Sequence, residues 1–178
     1  MSQYQAQVPN GDLVKPEIRK YFESFYTISD TPDIHQKYSE QFTQNANLIM
    51  ASKEARGRNE ILQIRIGMWE KVAKRSHKPV KIFPFGAGSD EVMLFGTVDY
   101  ELKDGKKASV DWAARAHFAQ EDGALRMDFY QVYLFAHSMQ LCLLVISVPS
   151  AQTLLALLDA EPAAKSLECQ SAPFANEK

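Results

Sequence analysis

EVMLFGTVDYELKDGKKASVDWAARAHFAQEDGALRMDFYQVYLF, running from Glu91 to Phe135, holds three alternating segments separated by Asp104-Gly105 and Asp122-Gly123. Each Asp-Gly pair supplies the positive-φ positions that a two-residue hairpin loop requires, so the stretch reads as a three-stranded meander. Two-residue loops would set the register. Lys103 then faces Lys106, which puts Val98 opposite Asp111, Thr97 opposite Trp112 and Phe95 opposite Ala114. In the second hairpin Glu121 faces Ala124, which puts Arg115 opposite Tyr130, His117 opposite Asp128 and Trp112 opposite Tyr133.

Strand alternation sorts this register into two faces. One is largely apolar and carries Phe95, Trp112, Phe129 and Tyr133, with the polar groups Thr97, Asp99 and Gln131 set among them. The other is mixed and carries Arg115, His117, Asp128 and Tyr130. A single bulge would exchange the faces of everything downstream of it.

Upstream, Ile18, Tyr21, Phe22, Phe25 and Ile28 recur at helical spacing, so a first helix is expected from Lys15 to Ser29, with Pro16 in its first turn. Thr31-Pro32-Asp33 reads as the N-cap and opening turn of a short second helix with Ile34, Tyr38 and Phe42 on one side. Asn47 to Ala51 is a strand candidate. Gly57 opens a third helix, expected to run to about Arg75 on the stripe Ile61, Ile64, Met68 and Val72. Lys71, Lys74 and Arg75 then fall in its last turn, where cations suit the helix dipole, and His77 reads as a cap just beyond. Lys78 to Phe85 is a further strand. Helices followed by a run of antiparallel strands define an α+β fold.

The chain has 178 residues, enough for one domain with a substantial core, and a net charge of -2. That balance gives no reason to expect nucleic acid as a partner. The first twelve residues lack the basic and apolar regions of a secretion signal, and a cytoplasmic protein is expected. The four histidines are scattered and no C-x-x-C or H-x-x-x-H spacing occurs, so neither a metal nor another cofactor is expected. No phosphate-binding glycine loop and no G-x-S-x-G elbow is present.

The run R-x-x-M-W-E-x-V-x-x-R (Arg65 to Arg75), G-T-V-D-Y (Gly96 to Tyr100), W-A-A-R-A-H (Trp112 to His117) and F-Y-Q-V-Y-L (Phe129 to Leu134) resemble SnoaL-like proteins of the nuclear transport factor 2-like superfamily, in particular a fungal set mostly without an assigned reaction. The resemblance covers about residues 15–135. It implies a cone: a curved antiparallel sheet wrapped around helices, enclosing an apolar cavity, with dimers formed through the outer sheet face. It also implies cofactor-free cyclase, dehydratase or isomerase chemistry on a polyketide- or terpenoid-like molecule of secondary metabolism, or else a non-catalytic binding module of the same fold. No catalytic set of a characterised member matches residue by residue, so the site rests on this chain's own pattern.

On the expected register Asp99 is a carboxylate on an apolar face, where desolvation would raise its pKa toward that of a useful base. Tyr133 would act beside it. Trp112, Gln131, Thr97, Phe95 and Phe129 would line the substrate cavity, with Tyr26 and His35 at its mouth. Each also has a plain structural reading, as core packing or a solvated side chain. Arg115, His117, Asp128 and Tyr130 fit a dimer interface. Residues 1–14 read as loose and 136–178 as a separate extension. In the extension LCLLVISV and TLLALL are interrupted by Pro149, which fits a back-folded helix better than a membrane anchor. The abrupt change of character after Leu134 also fits non-coding sequence retained in the gene.

Overall fold

The computed structural model describes residues 2–11 and 13–135. Helix α1 (Pro16–Asp30) buries Ile18, Phe22, Phe25, Tyr26 and Ser29 along one stripe, the spacing that gives an amphipathic helix its core face. Pro16 opens it where a missing N–H costs nothing, and the Thr31 N–H bonds back to Ile28 to close it. Helix α2 (His35–Ser39) starts later than Thr31-Pro32 suggests, because Asp33 takes φ 62° and delays the helical run. Phe42, expected on α2, is instead the first residue of strand β1 (Phe42–Met50) and is fully buried. A charged strand, β2 (Lys53–Arg56), forms a hairpin with β1 that no hydrophobic pattern announces.

Helix α3 (Gly57–Gly67) is much shorter than expected. Residues 68–71 turn, and Val72–Pro84 form β3, followed by β4 (Glu91–Leu102), β5 (Lys107–Glu121) and β6 (Ala124–Phe135). The residues Met68 to Arg75 are good helix formers with a helical stripe, and tertiary pairing with β4 overrides that local preference. His77 is therefore a strand residue and not a helix cap.

The six strands form one curved sheet in the order β2-β1-β6-β5-β4-β3, antiparallel except for the parallel pair β1/β6. Aromatic groups of α1 pack on its inner face: Phe22 on Phe118, Phe25 on Tyr130 and Tyr26 on Trp112. The expected α+β architecture is the one observed.

Two details reverse the expected faces. The first hairpin loop has three residues, because the Leu102 N–H bonds to the Lys106 carbonyl at 2.8 Å and Gly105 sits at φ 83°. Phe95 therefore pairs with Ala113, Thr97 with Asp111 and Asp99 with Ser109. This one-residue offset sends Leu94, Val98 and Tyr100 inward and Phe95, Thr97 and Asp99 outward. The second hairpin begins as expected, with Glu121 opposite Ala124. Its pairing then slips between Phe118/Met127 and His117/Phe129, leaving Asp128 as a bulge. Beyond it Tyr130 and Val132 turn inward, while Phe129, Gln131 and Tyr133 turn outward. Arg115 is opposite Gln131 and not Tyr130. The inner face of β5, with Trp112, Ala114 and Phe118, is as expected.

The N-terminal segment, expected to be loose, lies along β3: the Gln7 N–H donates to Val80 at 2.9 Å and the Ile82 N–H to Gln7 at 3.0 Å. Val14 is buried. The extension at 136–178 lies outside the described residues. Among the described residues no helix is long and apolar enough to cross a membrane.

At Gly96 the backbone of β3 leaves no room for a side chain on β4. A Cβ there would meet the Lys78 carbonyl oxygen at 2.3 Å and the Pro79 Cα at 2.8 Å, both backbone atoms. Gly96→Ala is expected to push β3 outward and destabilise the fold by about 1–3 kcal/mol, the usual range for overpacking. Urea unfolding checks this; a loss under ~0.5 kcal/mol would show that β3 yields freely.

Candidate active site

The helices and inner sheet face enclose a cavity between α1, α2, the turn after α3, and strands β1 and β3–β6. Its empty space is about 540 Å³ including the open mouth, and the enclosed part is tight. Its walls are apolar and aromatic, with Phe25, Val98, Val132 and Leu134 among them; Tyr26, Trp112, Tyr130, Ser29, Arg75 and His77 bring polar atoms to the same space.

Two elements join at the polar end. Arg75 and His77 lie two residues apart on β3 and so share its inner face, and Ser29 and Asp30 end α1. His77 Nδ1 lies 2.5 Å from Asp30 Oδ1, and the His77 backbone N–H donates to Asp30 Oδ2 at 2.7 Å. Both side chains are largely buried, Asp30 6% and His77 14% exposed. An ionised carboxylate can only accept, so Nδ1 carries the proton and Nε2 keeps its lone pair. Burial pulls the His77 pKa below its ordinary 6.5; Asp30 opposes that shift, and Arg75 and Arg65 add to it. The imidazole is thus an oriented, neutral base at physiological pH. The ring packs beside Tyr26 and Trp112, at centroid distances of 5.0 and 5.9 Å.

Potential donors line the same cavity. The Tyr26 and Tyr130 hydroxyls are 3.4 Å apart, and burial raises the pKa of both, so each remains protonated at neutral pH. The Trp112 indole N–H is buried with no partner within the described protein. A buried donor without a partner costs about 1–3 kcal/mol, a cost that a bound oxygen would remove.

Two buried arginines brace the polar end. Arg65 donates to the carbonyls of Ile28, Ser29 and Thr31 at the C-terminus of α1. Arg75 donates to the Ser29 carbonyl and to Ser29 Oγ, and its Nε lies 3.5 Å from Asp30. Both guanidinium groups lie over the Trp69 ring, at 5.0 and 4.9 Å.

Only part of the sequence-derived site assembles here. Trp112 and Tyr26 line the cavity. His35 is half-buried at the start of α2 but is not among the cavity walls. Asp99 is on the outer face, 44% exposed at its side chain, bonded to Lys78 Nζ at 2.5 Å and Ser109 Oγ at 2.7 Å. Lys78 first and Ser109 second lower its pKa, the opposite of what a desolvated base needs. Tyr133, Phe95, Thr97, Gln131 and Phe129 share that outer face for the register reasons above. Among the proposed dimer contacts Arg115, His117 and Asp128 are outside, with His117 Nδ1 2.7 Å from Asp128, but Tyr130 is 3% exposed and belongs to the cavity. Sequence reasoning missed Asp30 altogether and set His77 aside. The signal that could have found the pair is His77 read as a strand residue, with Arg75 on the same face.

No family model matches the chain, and no curated protein matches it. Solved structures do. A candidate scytalone dehydratase from Novosphingobium aromaticivorans superposes with a TM-score of 0.60 at 11% identity, over 67% of this chain and 83% of its own. A type 2 hexachlorocyclohexane dehydrochlorinase (LinA) gives 0.57 at 11%, over 69% and 88%. ActVI-ORFA from Streptomyces coelicolor gives 0.55 at 14%, over 66% and 94%. The fold is therefore the one these solved structures share. Among the described residues no cluster of three or more His, Cys, Asp and Glu side chains forms a metal site.

Proposed function

We propose that this protein is a cofactor-free lyase or isomerase in which His77 removes a proton from carbon. The observation that carries this reading is the Asp30–His77 pair at the polar end of an apolar cavity. In an elimination, His77 Nε2 takes the proton α to a carbonyl, the C–H electron pair forms the enolate, and the β-substituent leaves as the double bond forms. Tyr26, Tyr130 and the Trp112 N–H supply donors for the carbonyl oxygen or the departing group. The two neighbours named for elimination, a dehydratase and a dehydrochlorinase, support the same class of step. A compact cyclic molecule of polyketide or terpenoid type suits the apolar walls. A second copy of the chain is the proposed partner, bound to the outer sheet face, where Met93, Phe95 and Tyr133 are exposed near Arg115 and His117. The tightness of the enclosed space favours one second reading, a binding module that holds a small ligand without turnover.

The test is to incubate the protein with one- and two-ring β-hydroxy ketones in D2O and follow α-hydrogen exchange and water loss by NMR. Exchange or elimination is expected in the parent, unchanged within about twofold in Asp99→Asn because that side chain is outside and solvated. If the parent and His77→Gln exchange at the same rate, the base assignment fails and the binding-module reading replaces it.

A further inference from the structure

Among the described residues the charges around the cavity do not balance. Arg65 and Arg75 are both buried, the first 0% exposed and the second 4%. Asp30 is the single carboxylate among the groups that act on His77, and the same holds for Arg65. His77 is held neutral by burial, and the Tyr26, Tyr38 and Tyr130 phenols are held protonated by it. Arg65, whose pKa burial and then Arg75 lower to about 9, remains charged at neutral pH. The carbonyls ending α1 absorb part of its charge through the negative end of the helix dipole. Arg75 draws on the same helix end through the Ser29 carbonyl and Oγ and, like Arg65, leaves its Nε unpartnered within the described protein, but unlike Arg65 it lines the cavity. The Arg75 Nε, in a side chain 3% exposed, stands 3.5 Å from Asp30, a carboxylate already engaged twice by His77.

We propose that the cavity selects an anionic ligand, a cyclic or aromatic carboxylate whose charged group sits on the Arg75 side while its ring packs toward Trp112, Val98 and Leu134. This rests on the reading of the cavity as the active site and adds the class of substrate it takes. Removing two cations from water for one carboxylate leaves a desolvation cost of several kcal/mol without full Coulombic return, and a ligand carboxylate supplies the missing counter-charge. A neutral ligand of the same shape gains the packing but not that compensation. The carboxylate would also stand close enough to His77 to raise its pKa on binding, the usual effect of an opposite charge within a few ångströms.

Benzoate and benzamide test this, because they share a shape and neither carries a leaving group. Their affinities are measured at pH 7.5 on the full chain, following the His77 imidazole and Trp112 indole signals by NMR. Benzoate is expected to bind at least about tenfold more tightly, a preference worth about 1.4 kcal/mol, to shift both signals and to raise the His77 pKa. Arg75→Gln should reduce the preference to about threefold or less and Arg75→Lys should keep part of it, since lysine retains the charge without the planar fork. Equal binding, tighter binding of benzamide, or no movement of His77 and Trp112 with either ligand overturns the proposal, and these readings on the parent stand even if the variants fail to fold. Turnover plays no part in them. A protein that prefers benzoate yet exchanges no α-hydrogen has the anion site without the catalysis, and one that turns over without the preference loses only the anion site.

Discussion

Replacing His77 with glutamine is expected to lower kcat for α-hydrogen removal by about 10³-fold, within the 10² to 10⁴ range of positioned general bases, while the fold survives. Glutamine keeps a group able to donate to Asp30, so the pairing of β3 with α1 retains a bond there. It has no basic nitrogen. Binding of a substrate analogue should change little, because the ring lines the cavity without being its main apolar wall. A kcat within about tenfold of the parent would remove His77 from the mechanism.

Asp30→Asn gives the sharper signature, since Asp30 acts through His77 as a positioning residue. Among the described residues the carboxylate is the one group raising the His77 pKa against burial, Arg75 and Arg65; Tyr4 also stands near Asp30, its own phenol raised by burial first and by that carboxylate second. Tyr26 and Trp112 complete the surroundings of the ring. In the parent, activity is expected to fall with acid through a pKa below 6.5. Removing the carboxylate moves that limb to lower pH and also lowers the plateau, because the imidazole loses its fixed tautomer. A purely structural Asp30 would lower the plateau without moving the limb. Stability follows the same linkage. The folded protein holds His77 below its unfolded value, so this contribution is present above pH 6.5 and is lost as pH falls from 6.5 toward the folded pKa.

The parts of this site that were legible in the sequence are those set by local pattern. Trp112 was placed correctly because the inward row of β5 is an unbroken alternation, and Tyr26 because it belongs to a helix whose stripe is plain. What failed depended on single residues. Asp104-Gly105 suits a two-residue loop as well as the three-residue loop that forms, and the difference turns all of β4 over. Asp128 reads as an ordinary strand residue facing His117, yet it is the bulge that turns Tyr130 inward and Tyr133 outward. The Asp30–His77 pair was hidden for another reason. Its members are 47 residues apart, and the segment between Met68 and Arg75 has a helical stripe that only the partner strand β4 overrules. A constellation that depends on tertiary pairing carries no spacing signature.

That dependence makes Arg65 a residue whose loss should cost the fold heavily. It is the largest fully buried side chain, and its guanidinium reaches three carbonyls at the end of α1, the turn that presents Ser29 and Asp30 to β3. Methionine would fill the space of the stem but leave the Thr31 carbonyl unbonded, while Ser29 keeps its bond from Arg75 and Ile28 keeps that from Thr31. Arg65→Met is expected to destabilise by about 2–4 kcal/mol, from lost charge-assisted hydrogen bonds and an exposed helix end inside the core. In urea, with a mid-range slope of about 2 kcal/mol/M, that is a fall in midpoint of roughly 1–2 M. Arg65→Lys should recover only part of it, because an ammonium cannot span three carbonyls in a fixed fork or stack between Tyr38 and Trp69 as the planar group does. An unchanged or higher midpoint in Arg65→Met would show that desolvation had cancelled the hydrogen bonds. The end of α1 would then be held by packing and by its bonds to Arg75 and His77, and Asp30 would keep its place beside His77 without help from Arg65.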